Sequence, residues 1–358
     1  MLGLLVIGFT VIMIFNLVKN ALIGKQFSRE DSFNGPIELL VPIGPESDFY
    51  LDHWLKSLNS LHFLSDRLKI HLLVYGPNTT IKLWDELKDK LPFVQLHVFS
   101  QIPENELPVP WILSQVAPKI NSSVVVIGDP ELVPKEEAFI SIGKIVTETN
   151  NPYFVLPQTN QQSALGEALA TLNPTLALTS VFGFKKFSKN ISHPMISYAQ
   201  GWMGMPLSTF QALDFSIKIS SWKELISYQW NIQNKNYYLA FGEKFLIRFY
   251  PEDLQSQILK MKLFWNELWN NPDRTSMFLF TVSIFIWSFP VLCLITHPFW
   301  SFASFLLLMV YRFFSKIVFQ ERWSAFFLHP IASLAWPATL MWWAIEGLKA
   351  KYGTKDPT

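Results

Sequence analysis

The chain has 358 residues, of which 50% are hydrophobic and only 16% charged, so we expect part of it to lie in lipid. A formal net charge of +1, without a Lys/Arg-rich run, argues against a nucleic-acid partner. One cysteine and seven histidines without i,i+4 spacing exclude an intrachain disulfide and argue against a His/Cys-rich metal centre.

The amino-terminal segment is typical of a membrane anchor. Residues 1–18 are uncharged and apolar, and Lys19, Lys25 and Arg29 follow them. Because the run has no basic segment before it and no small-residue cleavage site, we interpret it as uncleaved. The positive-inside rule then places the next domain in the cytoplasm. We expect an integral membrane protein, of the cell inner membrane, with a cytoplasmic soluble domain.

Residues 35–160 alternate between strand-like and helix-like runs. Strands are predicted at 37–43, 69–76, 94–99, 123–129 and 153–158, and helices near 49–61, 79–90, 110–118 and 135–149. This alternation predicts an α/β domain with a doubly wound, mainly parallel sheet. Since neither GxGxxG nor GxxxxGK[ST] follows any of these strands, a dinucleotide fingerprint and a P-loop are excluded.

Two acidic residues follow the strand in VVVIGDPELVP (124–134), where nucleotide or metal sites often form. In one interpretation, Asp129 and Glu131 together clamp a diphosphate-bound Mg²⁺ or Mn²⁺. In the other, Asp129 accepts backbone N–H groups in a turn and Glu131 leads into the next helix.

The region 161–250 is predicted to build an acceptor-side subdomain on the same core. It contains a predicted helix at 163–179, the turn-rich QGWMGMP at 200–206, a helix near 221–232 and a strand at 244–250. The glycines of QGWMGMP, which flank Trp202, indicate either a lipid or sugar groove or a tight turn.

Three apolar runs follow near the carboxyl end, at 276–296, 299–318 and 323–345. The first is uncharged and long enough to cross a bilayer. Arg312 and Lys316 interrupt the second, and their long side chains can snorkel to the cytoplasmic face. The third contains Pro330 and Pro337, so we expect it to be re-entrant or interfacial.

These patterns divide the chain into five segments. They are an anchor at 1–24, a cytoplasmic domain at 30–250, an interfacial amphipathic helix at 251–272, membrane segments at 275–348 and a tail at 349–358.

Five stretches, in chain order, resemble the family-2 glycosyltransferases of the ceramide glucosyltransferase and hopanoid-associated type. They are ELLVPIGPESDFYLDHWLKSL, PVPWILSQVAPKINSSVVVIGDPELVP, QGWMGMPLSTFQALDF, LQSQILKMKLFWNELW and FFLHPIASLAWPATLMWWAIEGLKAKYG. The resemblance implies a GT-A-like fold that transfers a hexose from a nucleotide sugar, such as a UDP-sugar, to a membrane lipid.

The resemblance also implies roles for particular residues. The family's acidic uridine grip aligns with Val74 and Tyr75, which makes Tyr75 the candidate donor contact. Its Asp-x-Asp motif aligns with 127–129, so Asp129, with Glu131 two positions on, is the candidate for binding the metal and the donor diphosphate. The base that deprotonates the acceptor hydroxyl falls at Glu224.

Each of these motifs is altered in this chain. Only the second acidic residue of Asp-x-Asp is kept, and Glu224 stands where Asp is expected; Glu224 can equally be a solvated residue on an amphipathic helix. The (Q/R)xxRW motif is reduced to MKLFW (261–265), which keeps Trp265 but not the Arg. That segment is either a remnant of a donor lid or a helix in the headgroup layer.

Three functions remain open. The first is a divergent membrane glycosyltransferase that uses Asp129 and Glu131 for metal and Glu224 as base. The second is a catalytically inactive relative, a pseudoenzyme that binds a lipid, a sugar nucleotide or a protein partner. The third is an unrelated, membrane-tethered nucleotide-binding regulator.

Overall fold

The computed structural model describes fifteen ranges and single positions in addition to residues 2–23: 25–26, 33–44, 58, 67–76, 91–130, 132–156, 158–159, 201–218, 222–232, 238–241, 246–248, 261, 265, 274–319 and 322–352. Two predicted helices lie outside these residues, near 79–90 and at 163–179. Of the helix predicted near 49–61, the described residue is Leu58. The chain divides into two compact units. We call Leu22–Gln158 with Lys185–Phe249 the sheet unit, and Met1–Ala21, Thr159–Phe184 and Tyr250–Thr358 the helical unit.

The described strands are β1 (Lys25–Gln26), β2 (Ile37–Ile43), β3 (Leu68–Tyr75), β4 (Val94–Phe99), β5 (Val124–Gly128), β6 (Leu132–Pro134), β7 (Tyr153–Leu156), β8 (Gln158–Thr159), β9 (Trp202–Pro206), β10 (Tyr238–Phe241) and β11 (Leu246–Arg248). The main sheet has the order β1-β10-β7-β9-β5-β2-β3-β4. A small second sheet has the order β6-β11-β8, in which β6 and β11 are antiparallel.

The described helices are α1 (Leu2–Ile23), α2 (Pro108–Val116), α3 (Glu136–Thr149), α4 (Leu207–Gln211), α5 (Trp222–Ile232), α6 (Arg274–Leu292), α7 (Pro298–Phe319), α8 (Trp323–Phe327) and α9 (His329–Tyr352). A turn of 3-10 helix, Ala117–Lys119, extends α2. The predicted helices near 110–118, 135–149 and 221–232 are therefore confirmed.

The central strands of the main sheet are buried, as their apolar runs predict. All residues of β2, β5 and β9 are buried, which requires that both faces of these strands be covered. Among the described strands of this sheet, β9 alone runs antiparallel to its neighbours, β5 and β7. The prediction of a mainly parallel sheet is confirmed.

Residues 202–206 of the stretch QGWMGMP form the central strand β9, so the interpretation of this stretch as a tight turn is wrong. Glycine suits this strand because α3 packs closely over it. A Cβ on Gly204 would lie 2.7 Å from Cγ2 of Ile142, and the ring of Trp202 lies 5.4 Å from that of Phe139. Gly204, one of the two glycines that indicated a turn, thus permits close packing of a helix on a sheet.

In the helical unit, two helices within the described residues are long and apolar enough to cross a membrane: Leu2–Leu22 and Pro298–Val318. Thr281–Leu292 is a shorter apolar helix. The run 323–345 is not one helix, because α8 ends at Phe327 and α9 begins at His329. The predicted number of membrane crossings and the cytoplasmic orientation stay predictions.

The two basic residues of α7 differ in their surroundings. Arg312 is fully buried, and its Nη1 donates to Oγ of Ser315 at 3.2 Å. The expectation that Arg312 snorkels outward is therefore wrong. Lys316 lies with its Nζ 4.3 Å from the centre of the Trp323 ring, a cation–π contact.

Candidate functional site

The order of the strands locates a candidate site on the main sheet. From β2 the chain proceeds through β3 to β4 on one side, and then returns to place β5 on the other side of β2. Ligands of doubly wound sheets bind beyond the carboxyl ends of the strands, where the order reverses. Asp129 follows β5 directly, so it stands at this switch point.

Asp129 is buried, with 7% of its surface exposed. Its Oδ2 accepts the backbone N–H of Gly201 at 2.9 Å and lies 2.6 Å from Nζ of Lys223. A buried carboxylate is costly unless it is both paired and hydrogen-bonded, and Asp129 meets both conditions. The contacts join the end of β5 to the start of β9 and to α5.

Lys223 is the second residue of α5 and is 5% exposed. It belongs to the buried face of the helix, since Ile226 and Trp230, three and seven residues on, are also buried. The helix macrodipole disfavours a cation in the first turn, so local helix preference does not account for this lysine. The Asp129 carboxylate supplies the compensating negative charge.

A side-chain amide also fixes α5 to the chain that precedes it. Nε2 of Gln229 donates to the carbonyl oxygen of Asp214 at 2.6 Å, and the backbone N–H of Asp214 donates to Oε1 of Gln229. This pair of hydrogen bonds restricts movement of α5 and hence of Lys223.

Two glycines make the close approach at the switch point feasible. A Cβ on Gly128 would lie 2.8 Å from Nε1 of Trp202, and a Cβ on Gly201 would lie 2.7 Å from the backbone oxygen of Val155. Any larger residue at position 201 would push β9 away from β7, and the hydrogen bond to Asp129 would move with it.

The structure describes the other predicted site residues to different extents. Tyr75 is the last residue of β3 and half-buried, at the same edge of the sheet as Asp129 with β2 between them. Two strand spacings are roughly 10 Å, the length scale of a nucleotide. Glu131 lies outside the described residues. Glu224 follows Lys223 in α5, and its side chain is outside the description. Their roles stay predictions.

The described residues do not suit the divalent cation that the family resemblance implies. Oδ2 of Asp129 already accepts an N–H group and contacts an ammonium ion, and in the described part of the chain no group of three or more His, Cys, Asp or Glu could hold a metal. A cation on this carboxylate would also be repelled by the neighbouring Lys223.

Lys223 was missed by the sequence interpretation, although a signal was present. The predicted apolar side of the helix near 221–232 included Ile226 and Trp230. Lys223 occupies the same face by i,i+3 and i,i+7 spacing, and a lysine at a buried-face position predicts a buried partner of opposite charge.

A second buried carboxylate, Glu38, lies near the opposite end of β2. Its Oε1 accepts Oγ–H of Ser122 at 3.0 Å, and its Oε2 lies 3.8 Å from Nε2 of His71. Nδ1 of His71 lies 3.0 Å from Nε2 of His97, so one ring donates to the other. Burial, helped by His97 and nearby lysines, lowers the pKa of His71 to about 4. At neutral pH the Glu38–His71 contact is therefore not an ion pair.

In the helical unit, the retained tryptophan of the MKLFW segment packs against α9. Trp265 and Met261 are buried, and Nε1 of Trp265 donates to Oγ1 of Thr339 at 3.4 Å. Oγ1 of Thr339 lies 4.0 Å from Sδ of Met261. Of this segment, the side chains of Met261 and Trp265 thus lie inward.

No protein-family model matches the sequence, and no curated protein sequence is significantly similar to it. Among solved structures, the mannosyltransferase PcManGT from Pyrobaculum calidifontis, in complex with GDP-Man and Mn²⁺, matches with 9% identity and a TM-score of 0.47, over 99% of this chain and 100% of that one. TarS from S. aureus matches with 11% identity and a TM-score of 0.40 over 71% of this chain, which spans 42% of that TarS chain.

A shorter TarS chain in complex with UDP-GlcNAc matches with 10% identity and a TM-score of 0.42, over 85% of this chain and 92% of that one. These structural neighbours bind nucleotide sugars. Because the scores and identities are low, the interpretation of the site depends on the strand order and on the contacts of Asp129.

Proposed function

We propose that this chain is a membrane-bound hexosyltransferase of GT-A-like fold, in the cell inner membrane, which transfers a hexose from a nucleotide sugar to a membrane lipid. The observation that carries the proposal is the buried Asp129 at the switch point, bonded to both Gly201 and Lys223. A charged pair that is fixed where doubly wound sheets bind their ligands is a feature expected of a phosphate-binding site.

The donor is proposed to lie along the carboxyl edge of β3, β2 and β5. Tyr75, the last residue of β3, is the proposed contact for the nucleobase, since a base can stack on an aromatic ring. Asp129 and Lys223 stand at the other end, beside the proposed position of the diphosphate.

In the proposed reaction, the acceptor hydroxyl oxygen attacks the anomeric carbon of the hexose. The hydroxyl proton passes to the carboxylate of Glu224, which is the proposed base. The bond between the anomeric carbon and the diphosphate oxygen breaks, and its electron pair leaves with the nucleoside diphosphate. The products are a glycosylated lipid and a nucleoside diphosphate.

A lipid acceptor is supported by the exposed apolar surface of the helical unit. In α1, Leu4, Leu5 and Phe15 are each at least 60% exposed, and in α7 Phe299 and Phe302 are 73% and 62% exposed. Large apolar side chains in such numbers mark a surface that contacts lipid or another apolar partner.

Calorimetry on the full chain in detergent micelles tests the proposal. UDP-glucose, UDP-GlcNAc and GDP-mannose are each titrated with Mn²⁺ present, so that a metal requirement cannot mask binding. Transfer of radiolabelled hexose into a lipid extract is then measured for any donor that binds. We expect one donor to bind and to be consumed, and Asp129→Asn to weaken binding about tenfold or more because it releases Lys223.

Glu104→Gln is the matched control, since Glu104 is an exposed carboxylate of the same unit, and it should leave binding unchanged. Binding without transfer to any lipid would favour the inactive relative that binds a nucleotide sugar. If none of the three donors binds, the proposed function is wrong.

A further inference from the structure

The contact between Lys223 and Asp129 places a positive charge where the family resemblance implies a divalent cation. Nζ lies 2.6 Å from Oδ2, which also accepts the N–H of Gly201. Both lone pairs of that oxygen are therefore in use. The structure and the family resemblance therefore differ in which cation lies beside Asp129: an ammonium ion in the structure, a divalent metal ion in the resemblance.

We propose that Lys223 supplies the positive charge at the switch point, so that this chain binds the diphosphate of its nucleotide ligand without a divalent cation. The inference rests on the proposed function, because it concerns the same donor site. It adds a residue, Lys223, and a property, independence from metal, to that site.

The ammonium group suits this role chemically. A lysine ammonium has three N–H donors and is a common partner of phosphate oxygens in proteins. Its four-carbon stem is usually flexible, but here Asp129 holds Nζ in one position. Since α5 is also fixed through Gln229, the charge is preorganised at the end of β5.

The described residues also disfavour a metal at this point. Hard divalent cations prefer several oxygen ligands, commonly from more than one carboxylate. Among the described residues assigned to this edge, Asp129 is the one with a carboxylate. The Lys223 ammonium beside its Oδ2 would repel a metal ion. If Lys223 itself supplies the positive charge for the diphosphate, no metal ion has to lie beside its ammonium group.

In the proposed transfer, Lys223 acts as a fixed cation and not as an acid. As the bond from the anomeric carbon to the diphosphate breaks, negative charge grows on the leaving oxygen. Lys223 stabilises this charge and stays protonated, so the proton balance of the reaction is unaltered. Asp129 is a positioning residue in this scheme, since it acts through Lys223.

Titration of UDP and GDP into the full chain in detergent micelles, once with EDTA and once with Mn²⁺, tests the inference. We expect at least one of the two to bind in EDTA with an affinity that Mn²⁺ changes less than threefold. In EDTA, Lys223→Arg should keep the affinity within about fivefold, because the charge is retained. The double variant Asp129→Asn/Lys223→Met removes both charges, avoids an unpaired buried carboxylate, and should weaken binding at least tenfold.

Lys218→Met is the matched control, because Lys218 is an exposed lysine of the same unit, and it should bind as the unmodified chain does. Binding that requires Mn²⁺ and is lost in EDTA would overturn the inference and leave the proposed function standing. Equal binding by the double variant in EDTA would overturn the role of Lys223. Failure of both UDP and GDP to bind under either condition would overturn the inference and the proposed function together.

Discussion

Among the described residues of the sheet unit, two buried carboxylates have different surroundings. Asp129, at the carboxyl end of β5, contacts a buried ammonium at 2.6 Å and a backbone N–H at 2.9 Å. Glu38, near the amino end of β2, accepts one hydroxyl at 3.0 Å, and its lysine neighbour, Lys69, is 53% exposed and 3.8 Å away. The charge of Asp129 is therefore compensated inside the protein, whereas Glu38 faces a neutral His71.

This difference separates a site of fixed charge from a site that responds to protons. A compensated carboxylate holds its cation in one position, which suits binding of a charged ligand. A carboxylate beside a neutral, buried imidazole makes the free energy of folding depend on pH. The contrast predicts which substitutions matter most.

The largest expected effect comes from removing the buried cation. Lys223→Met leaves the Asp129 carboxylate buried without its ammonium, which we expect to lower the free energy of unfolding by about 3–5 kcal/mol. Hydrogen-exchange mass spectrometry of peptides that cover β5 measures this in the full chain. The neutral pair Asp129→Asn/Lys223→Met should recover most of the loss. A change under about 1 kcal/mol in the single variant would show that the ion pair is not buried in solution.

The second effect concerns His71 and pH. Because its folded-state pKa, about 4, lies below the ordinary value of 6.5, the unfolded chain binds the proton first as the pH falls. The free energy of unfolding therefore keeps its full value, with respect to His71, above pH 6.5. It falls by on the order of 3 kcal/mol as the pH is lowered from 6.5 towards 4. Unfolding of the full chain measured across this range should become less pH-dependent in His71→Gln. Parallel pH profiles for the two chains would contradict this interpretation.

A smaller effect is expected from crowding the switch point. Gly201→Ala introduces a Cβ 2.7 Å from the backbone oxygen of Val155, and backbone atoms can move little, so we expect a loss of about 1–3 kcal/mol and weaker nucleotide binding. Gly8→Ala is the control, since a Cβ there meets nothing within 4 Å. Unaltered binding and stability in Gly201→Ala would mean that β9 approaches β7 less closely than the structure shows.

The smallest effect should come from the lysine beside Glu38. Lys69→Met removes an exposed partner 3.8 Å from the carboxylate, and such pairs contribute roughly 0–1 kcal/mol. The same experiment that detects the loss in Lys223→Met should detect little here. Equal losses in the two variants would remove the distinction between the carboxylates.

Much of the fold was predictable because apolar β-branched runs identify buried strands. The predictions at 37–43 and 94–99 coincide with β2 and β4, and the helices predicted around α2 and α3 are present. β9 was not predicted, because its glycines are typical of turns. The role of Gly204 depends on Ile142 of α3, and that of Gly201 on Val155 of β7, and such long-range packing leaves no local pattern.

The site was predictable only in part. Position alone indicated Asp129, since the residue after a buried strand lies at the sheet edge. The partner Lys223 lies 94 positions later, and its pairing requires the three-dimensional arrangement of α5. The roles of Glu131 as a metal contact, Glu224 as the base and Tyr75 as a donor contact stay predictions.

The position of β9 has a consequence for synthesis of the chain on the ribosome. This strand is the link between the half of the sheet that contains β5 and the half that contains β7, yet it is made more than 40 residues after both. Until residue 206 emerges, β5 and β7 each lack a neighbour, and unpaired strand edges are prone to aggregation. We therefore expect the nascent chain to be most prone to aggregation before Trp202–Pro206 closes the gap.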